Sequence, residues 1–369
     1  MFRPSRSAVW SRWMLVAPIA VSASLVAAPH AATPLPLPGP FVSTHHLPSV
    51  DVAAENQRCE SCHSTIAEEW RRSLHKRAYD DPVFRSSVAL EPQPFCRGCH
   101  APEADPTITS QAALHALGVA CVTCHVQQGK IIGTRTLPAT ATRHFVQGDP
   151  RLSTTDACAA CHQFGFPLRP SAAMQNTLKE HAASRFADSS CQTCHMPRVI
   201  DSSGRRHRSH DFHVVGNAAL LRSAVRVQAF RNSPQALGVT LEAGDVGHSF
   251  PTGDMFRRLE VRAKIVDEKG QTMSHAMPEV LEREFTVHFT EQGTDRIPVG
   301  DSRVPPQGTP RRVLLLFSKD TEGHAIHWEV AYQRMPPYLA KLFGIDTKQD
   351  EVIVAQGILN PVTKPPENE

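Results

Sequence analysis

The sequence predicts an α+β chain of two unlike regions, a mostly helical and loop-rich one followed by an antiparallel β-sandwich. Three observations predict it. All ten cysteines fall before residue 195, in five identical Cys-x-x-Cys-His runs. Beyond about residue 220 cysteine disappears and apolar residues alternate with polar ones at period two. The third is a thin apolar supply: 41% hydrophobic and 6% aromatic residues in 369, with 30 prolines, so something besides side chains must fill part of the interior. A formal charge of +3 is too near neutral to argue for a nucleic-acid partner.

Taken in order, residues 1–32 read as a secretory signal peptide. Arg3, Arg6 and Arg12 precede an apolar stretch from Trp13 to Ala28, and small residues follow through Ala32. The apolar core is shorter than the ~20 residues that span a bilayer, and Pro18 interrupts it. An uncleaved anchor is the competing reading. No later segment is apolar and long enough to span, so no integral membrane segment is expected in the mature chain. Residues 33–54 open with TPLPLPGP and read as a proline-rich linker.

Residues 55–220 hold the five runs: Cys59, Cys62 and His63; Cys96, Cys99 and His100; Cys121, Cys124 and His125; Cys158, Cys161 and His162; Cys191, Cys194 and His195. This is the attachment signature of haem c. Two thiols three positions apart on one helical turn add to the two vinyl groups of a haem, and the next imidazole becomes an axial iron ligand. Redox dithiols need no fixed histidine, zinc pairs require none directly after the second cysteine, and disulfides have no reason for five equal spacings. Five covalently attached haems are therefore expected, which makes this region a pentahaem cytochrome c domain. The irregular intervals between runs argue against a tandem repeat. Short helices are expected over Thr65–Lys76, Gln111–Leu117 and Ala172–Ser184, with little sheet.

Function turns on the second axial ligand of each iron: a bis-histidine haem suits electron transfer, whereas an open position admits a substrate. The 20 histidines are more than enough to close every position, so counting reveals no vacancy. His75 lies twelve residues after His63 on what reads as one helix, ~18 Å away, so it can serve only another haem. His144 stands in the loop between the third and fourth runs. His207, His210 and His213 follow the fifth, with His210 preferred; a zinc site there is the other reading. His115 divides evenly between ligand and helix-surface histidine, and His45, His46 and His181 rank lower. His248 lies in the second region, bracketed by Gly247, Pro251 and Gly253 in GHSFPTG, a turn that points an imidazole toward a haem. The expected distal ligands are His75, His144, His210 and His248, with His115 fifth.

Residues 221–369 carry the sandwich. Leu259, Val261, Ala263 and Ile265 alternate with Glu260, Arg262 and Lys264 before the turn Asp267-Glu268-Lys269-Gly270, and similar runs occur at 223–230, 237–242, 281–289, 312–318, 325–333 and 351–359. Seven short strands separated by turn residues predict an immunoglobulin-like sandwich.

The runs CESCHSTIAEEWRRSLH (with Trp70 and His75), GVACVTCHV, CAACHQF and CQTCHMPR resemble the multihaem c-type cytochromes related to the tetrahaem electron acceptor of hydroxylamine oxidoreductase. GHSFPTGDMFRRLEV is similar to a C-terminal extension of exported multihaem cytochromes. The resemblance spans roughly residues 55–265. It implies bis-histidine haems in stacked and edge-on pairs, with His75 and His144 or His210 as crossed distal ligands; five runs and a β-region are departures from it. Pentahaem nitrite reductases resemble the chain in haem number, but their catalytic haem carries lysine where all five runs here keep histidine. A tyrosine cross-link of the hydroxylamine-oxidising kind has only Tyr79, Tyr332 and Tyr338 to draw on.

The expectation is an exported, periplasmic cytochrome passing electrons between redox partners such as a quinol dehydrogenase, other cytochromes or a reductase, more an electron carrier than an enzyme. The alternative is a multihaem oxidoreductase acting on a small nitrogen or sulfur compound at a haem with an open distal position. In a third reading the β-region is a docking module.

Overall fold

The computed structural model describes residues 51–105, 111–140, 143–212, 214, 216–346 and 351–362. The expected signal peptide, all but the end of the linker, and His45, His46 and His213 lie outside the described residues. All described residues belong to one compact unit.

Each Cys-x-x-Cys-His run occupies a helical turn. The first ends the helix Val52–Cys62, which Asp51 caps by accepting a 3.0 Å hydrogen bond from the Ala54 N–H. His63 then separates it from the helix Ser64–Arg72. The other runs lie on Arg97–His100, Cys121–His125, Asp156–His162 and Cys191–His195. Because i and i+3 share a helix face, each pair of thiols points to one side. Apolar packing in this region is sparse. One cluster gathers Val52, Trp70, Ala120, Val122 and Val126, and the Trp70 indole donates to the Val119 carbonyl at 2.8 Å.

Three helix expectations here need correction. The helix expected over Thr65–Lys76 stops at Arg72, because the Ser73 hydroxyl donates to the Trp70 carbonyl (2.7 Å) and accepts from the Lys76 N–H (3.2 Å), replacing the next helical bonds. The helix expected over Gln111–Leu117 is confined to Ala112–His115. Gly118 turns the chain with φ +61° and packs against the His75 and Lys76 carbonyls, where a side chain would collide. Most of the helix expected over Ala172–Ser184 is replaced: Arg169–Asn176 pairs antiparallel with Gln163–Phe166, and only Thr177–Ala182 is helical. Tertiary pairing overrides the helix preference of the alanines. Small hairpins also join Val126–Gln127 to Lys130–Gly133 and Arg198–Ile200 to Arg206–Arg208.

The β-region is two antiparallel sheets packed face to face. In one, Ala236–Ala243 lies between Val225–Ser233 and Arg311–Leu316. In the other the order is Thr272–His275, Arg258–Val266, Ala325–Gln333, Val352–Leu359, with Glu279–Leu281 also paired to Arg258–Val266. The expected alternation is the packing rule: Leu259, Val261, Ala263 and Ile265 enter the core opposite Leu237, Val239, Leu241, Val313 and Leu315. Arg262 stays on the outer face, bonded to Glu260, Glu329 and Glu351. The run expected at 281–289 behaves differently. Its main part, Arg283–Thr290, leaves both sheets and pairs with an unexpected strand, Gly293–Asp301. That hairpin leans on the first region: Arg169 pairs with Asp295 at 2.7 Å, Arg296 with Glu91 at 2.6 Å, and Phe285 meets Phe166 edge-on at 5.4 Å.

Candidate haem sites

The structure brings three of the expected distal histidines opposite motif histidines. The ring centroids of His63 and His144, of His125 and His210, and of His195 and His248 are each 6.2 Å apart. A metal bound by an imidazole nitrogen at ~2 Å on either side, with each ring centre ~1.1 Å further back, sets the centroids ~6 Å apart. The three spacings therefore fit a bis-histidine iron. The interplanar angles, 65°, 41° and 10°, differ because rotation about the axial bond is free of that distance.

The other candidates stand differently. His75 is not paired face to face; its foremost electrostatic neighbour is His162, followed by His210, His195 and His100. It lies just past a helix rather than on the long one expected, with Phe212 edge-on at 4.2 Å. His100 stacks on Phe84 at 3.7 Å. His115 is buried and stacked on Tyr79 at 4.2 Å, and its Nε2 makes no hydrogen bond, which leaves that nitrogen free to ligate. Among the described residues no group of three or more His, Cys, Asp or Glu is arranged to hold a bare metal ion.

Hydrogen bonding sets the tautomers these ligands need. Nδ1 of His100 lies 2.6 Å from the Ala78 carbonyl, that of His125 3.0 Å from Ile132, that of His210 2.8 Å from Arg208 and that of His248 3.0 Å from Ser249. A carbonyl only accepts, so Nδ1 carries the proton and Nε2 keeps its lone pair for iron. Loss of hydration favours the same neutral form: burial drives His75 down to about 3 and His210 and His248 down to about 4. No two of the ten cysteines are joined in a disulfide.

Two arrangements that sequence reasoning missed hold His210 and His248. Glu69 receives the His210 backbone N–H at 2.8 Å through one oxygen and meets His207 Nε2 at 3.0 Å through the other, fixing the His210 segment. In the β-region, Arg303 donates to Glu180 (2.7 Å), Asp301 (2.7 Å) and the Pro251 carbonyl (2.8 Å), while Thr252 donates to Glu180 at 2.6 Å. Arg303 and Glu180 are both buried. This clamp ties the His248 turn to the helix Thr177–Ala182. Nothing local in the sequence marks either arrangement, since the partners lie 138 and 123 residues apart.

The segments carrying the motifs also touch. Cys121 N–H donates to the Asn56 side chain at 2.9 Å, joining the third motif to the first. Arg151, leading into the fourth, donates to Gln127, just after the third, at 3.3 Å. Gln192 of the fifth donates to the Leu152 and Thr154 carbonyls ahead of the fourth, at 3.1 and 2.7 Å. Phe95 of the second meets Phe164 beyond the fourth edge-on at 5.3 Å.

Residues 58–126, which span the first three motifs, match the family cytochrome c554 and c-prime. A penta-haem cytochrome c552 from Thermochromatium tepidum shares the fold, with TM-score 0.66 and 20% identity over 84% of this chain and 98% of that one. A β-glucuronidase of glycoside hydrolase family 2 aligns over 38% of this chain and 11% of its own at TM-score 0.15 and 10% identity, too weak a likeness to bear on the fold. No curated protein matches. The family match is to multihaem c-type cytochromes over residues 58–126, and the penta-haem likeness is one of fold. No described helix is long and apolar enough to cross a membrane.

Proposed function

We propose that this chain is an exported pentahaem cytochrome c that transfers electrons between periplasmic or membrane-associated redox partners through bis-histidine haems. The observation that carries the reading is the spacing of the three facing imidazole pairs, 6.2 Å in each. The ten motif cysteines hold the haems, and the five motif histidines supply one axial nitrogen each. His144, His210 and His248 supply the second nitrogen opposite His63, His125 and His195. His75 serves the His162 side, and His115 is the remaining candidate. Haem iron held by two histidines exchanges one electron without binding substrate. The protein's part is to fix the imidazoles, keep them neutral and exclude other ligands.

Two domains fit this work, 55–220 for the haems and 221–369 for the sandwich, whose turn at His248 acts as a lid on the fifth motif. Export follows from the arginine-led apolar segment before residue 32. Partners of the quinol dehydrogenase, cytochrome or reductase kind fit a protein related to the tetrahaem electron acceptor of hydroxylamine oxidoreductase. One observation favours the alternative, an oxidoreductase for a small nitrogen or sulfur compound: the near neighbour of the His100 ring is Phe84 rather than a second imidazole.

Low-temperature EPR of the oxidised protein separates the two. Only low-spin iron is expected of the carrier. A stoichiometric high-spin signal that shifts with nitrite, hydroxylamine or sulfite would replace that reading with the oxidoreductase.

A further inference from the structure

The fourth motif is the point where the others meet. Its flanks are touched from three directions: by Phe95 of the second motif at Phe164, by Gln127 of the third at Arg151, and by Gln192 of the fifth at Thr154. The first motif is placed otherwise. Its helix is bonded to the third through Asn56 and Cys121, and the side-chain neighbours of His63 are His144, Arg205 and His125. Cys62 and Cys194, in the first and fifth motifs, are the exposed cysteines; the other eight are half-buried.

We infer that Cys158, Cys161 and His162 hold the junction of a branched electron path with three ends, at the first, second and fifth motifs. This rests on the haem-carrier reading above and adds a routing function to it. A linear wire has two ends and joins one donor to one acceptor. A junction with three ends lets electrons from one partner leave toward either of two others, or lets two donors feed one acceptor. The end at the second motif lies beside the Arg283–Thr290 hairpin, which reaches it through Arg296 and Glu91.

The test is haem-by-haem exchange NMR of the intact five-haem protein at successive stages of reduction, with signals assigned to motifs. Reduction of the fourth-motif haem is expected to shift the signals of three others, and reduction of the first-motif haem those of one. If no haem has more than two coupled neighbours, or if the three-neighbour haem is another one, the junction is overturned. A second measurement uses the Cys158→Ala/Cys161→Ala variant, checked for four haems by mass. Fast electron exchange between the first and fifth motifs should be lost in it and kept in Cys96→Ala/Cys99→Ala; retention in the former overturns the proposal. Should the variant not accumulate, the NMR neighbour count decides alone. High-spin iron by EPR would count against bis-histidine ligation while leaving that count intact, so the two failures are distinguishable.

Discussion

The two regions reach a folded state by different means. In the sandwich the interior is amino-acid side chains: Leu259, Val261 and Ile265 interleave with Leu237, Val239 and Leu315, and each position follows from alternation along a strand. In the motif region the largest apolar cluster is the small group around Trp70, and the segments there converge on thiols and imidazoles instead. Hydrophobic burial scales with the apolar area hidden, so a region with so few buried side chains must borrow area from the haems it binds. The modest overall hydrophobic content is thus an average over one self-sufficient region and one dependent on its cofactor.

The largest expected effect breaks the comparison directly. Expressed without haem attachment, the chain should lose hydrogen-exchange protection over residues 55–220 and keep it over Arg258–Val266 and Ala325–Gln333. Equal loss in both regions would show that the sandwich is not self-sufficient. Next is the clamp between them: Arg303→Leu leaves Glu180 buried beside an uncompensated carboxylate partner, and should cost about 3–5 kcal/mol in denaturant unfolding. Ile265→Ala, a cavity in the sandwich core, should cost about 2–5 kcal/mol, with the optical spectrum of the haems unchanged.

His248→Ala probes the one place where the sandwich serves the haem region. It should turn one haem high-spin by EPR without loss of covalent haem, and barely alter stability; an unchanged spectrum would return His248 to an ordinary turn residue. The smallest effect is in pH. Burial pushes the Asp301 carboxyl up, but the hydrogen bonds and charge of Arg303 outweigh it and leave its folded value below the ordinary carboxylate range. A depressed folded value means stability that is present above the unfolded value of ~3.9 and lost as pH falls through the folded one. Asp301→Asn should flatten the acid limb of the stability curve.

Legibility also differs between the regions. Strands at 325–333 and 351–359 agree with the structure to within a residue, because period-two burial is written into the chain itself. The helix expected from Ala172 failed because Arg169–Asn176 finds a partner in Gln163–Phe166, and alanine content carries no record of that partner. Leaving the sheets, Arg283–Thr290 depends in the same way on contacts such as Arg169 with Asp295, formed between residues 126 apart. Of the distal candidates, His248 stood out by its turn and His210 and His144 by their loops. Their partners were not readable.

What the sequence by itself determined is what lies within one helical turn or one strand: five attachment sites, because two thiols and an imidazole must sit within five residues, and the sandwich strands, because each strand has one face to hide. Which histidine faces which was decided only by tertiary structure. His63 with His144, His125 with His210, and His195 with His248 are pairings across loops and across regions. The second and third exist because Glu69 and the Arg303–Glu180 clamp hold the His210 segment and the His248 turn at the separation an iron requires. Such separations are properties of packing, and no local pattern encodes them.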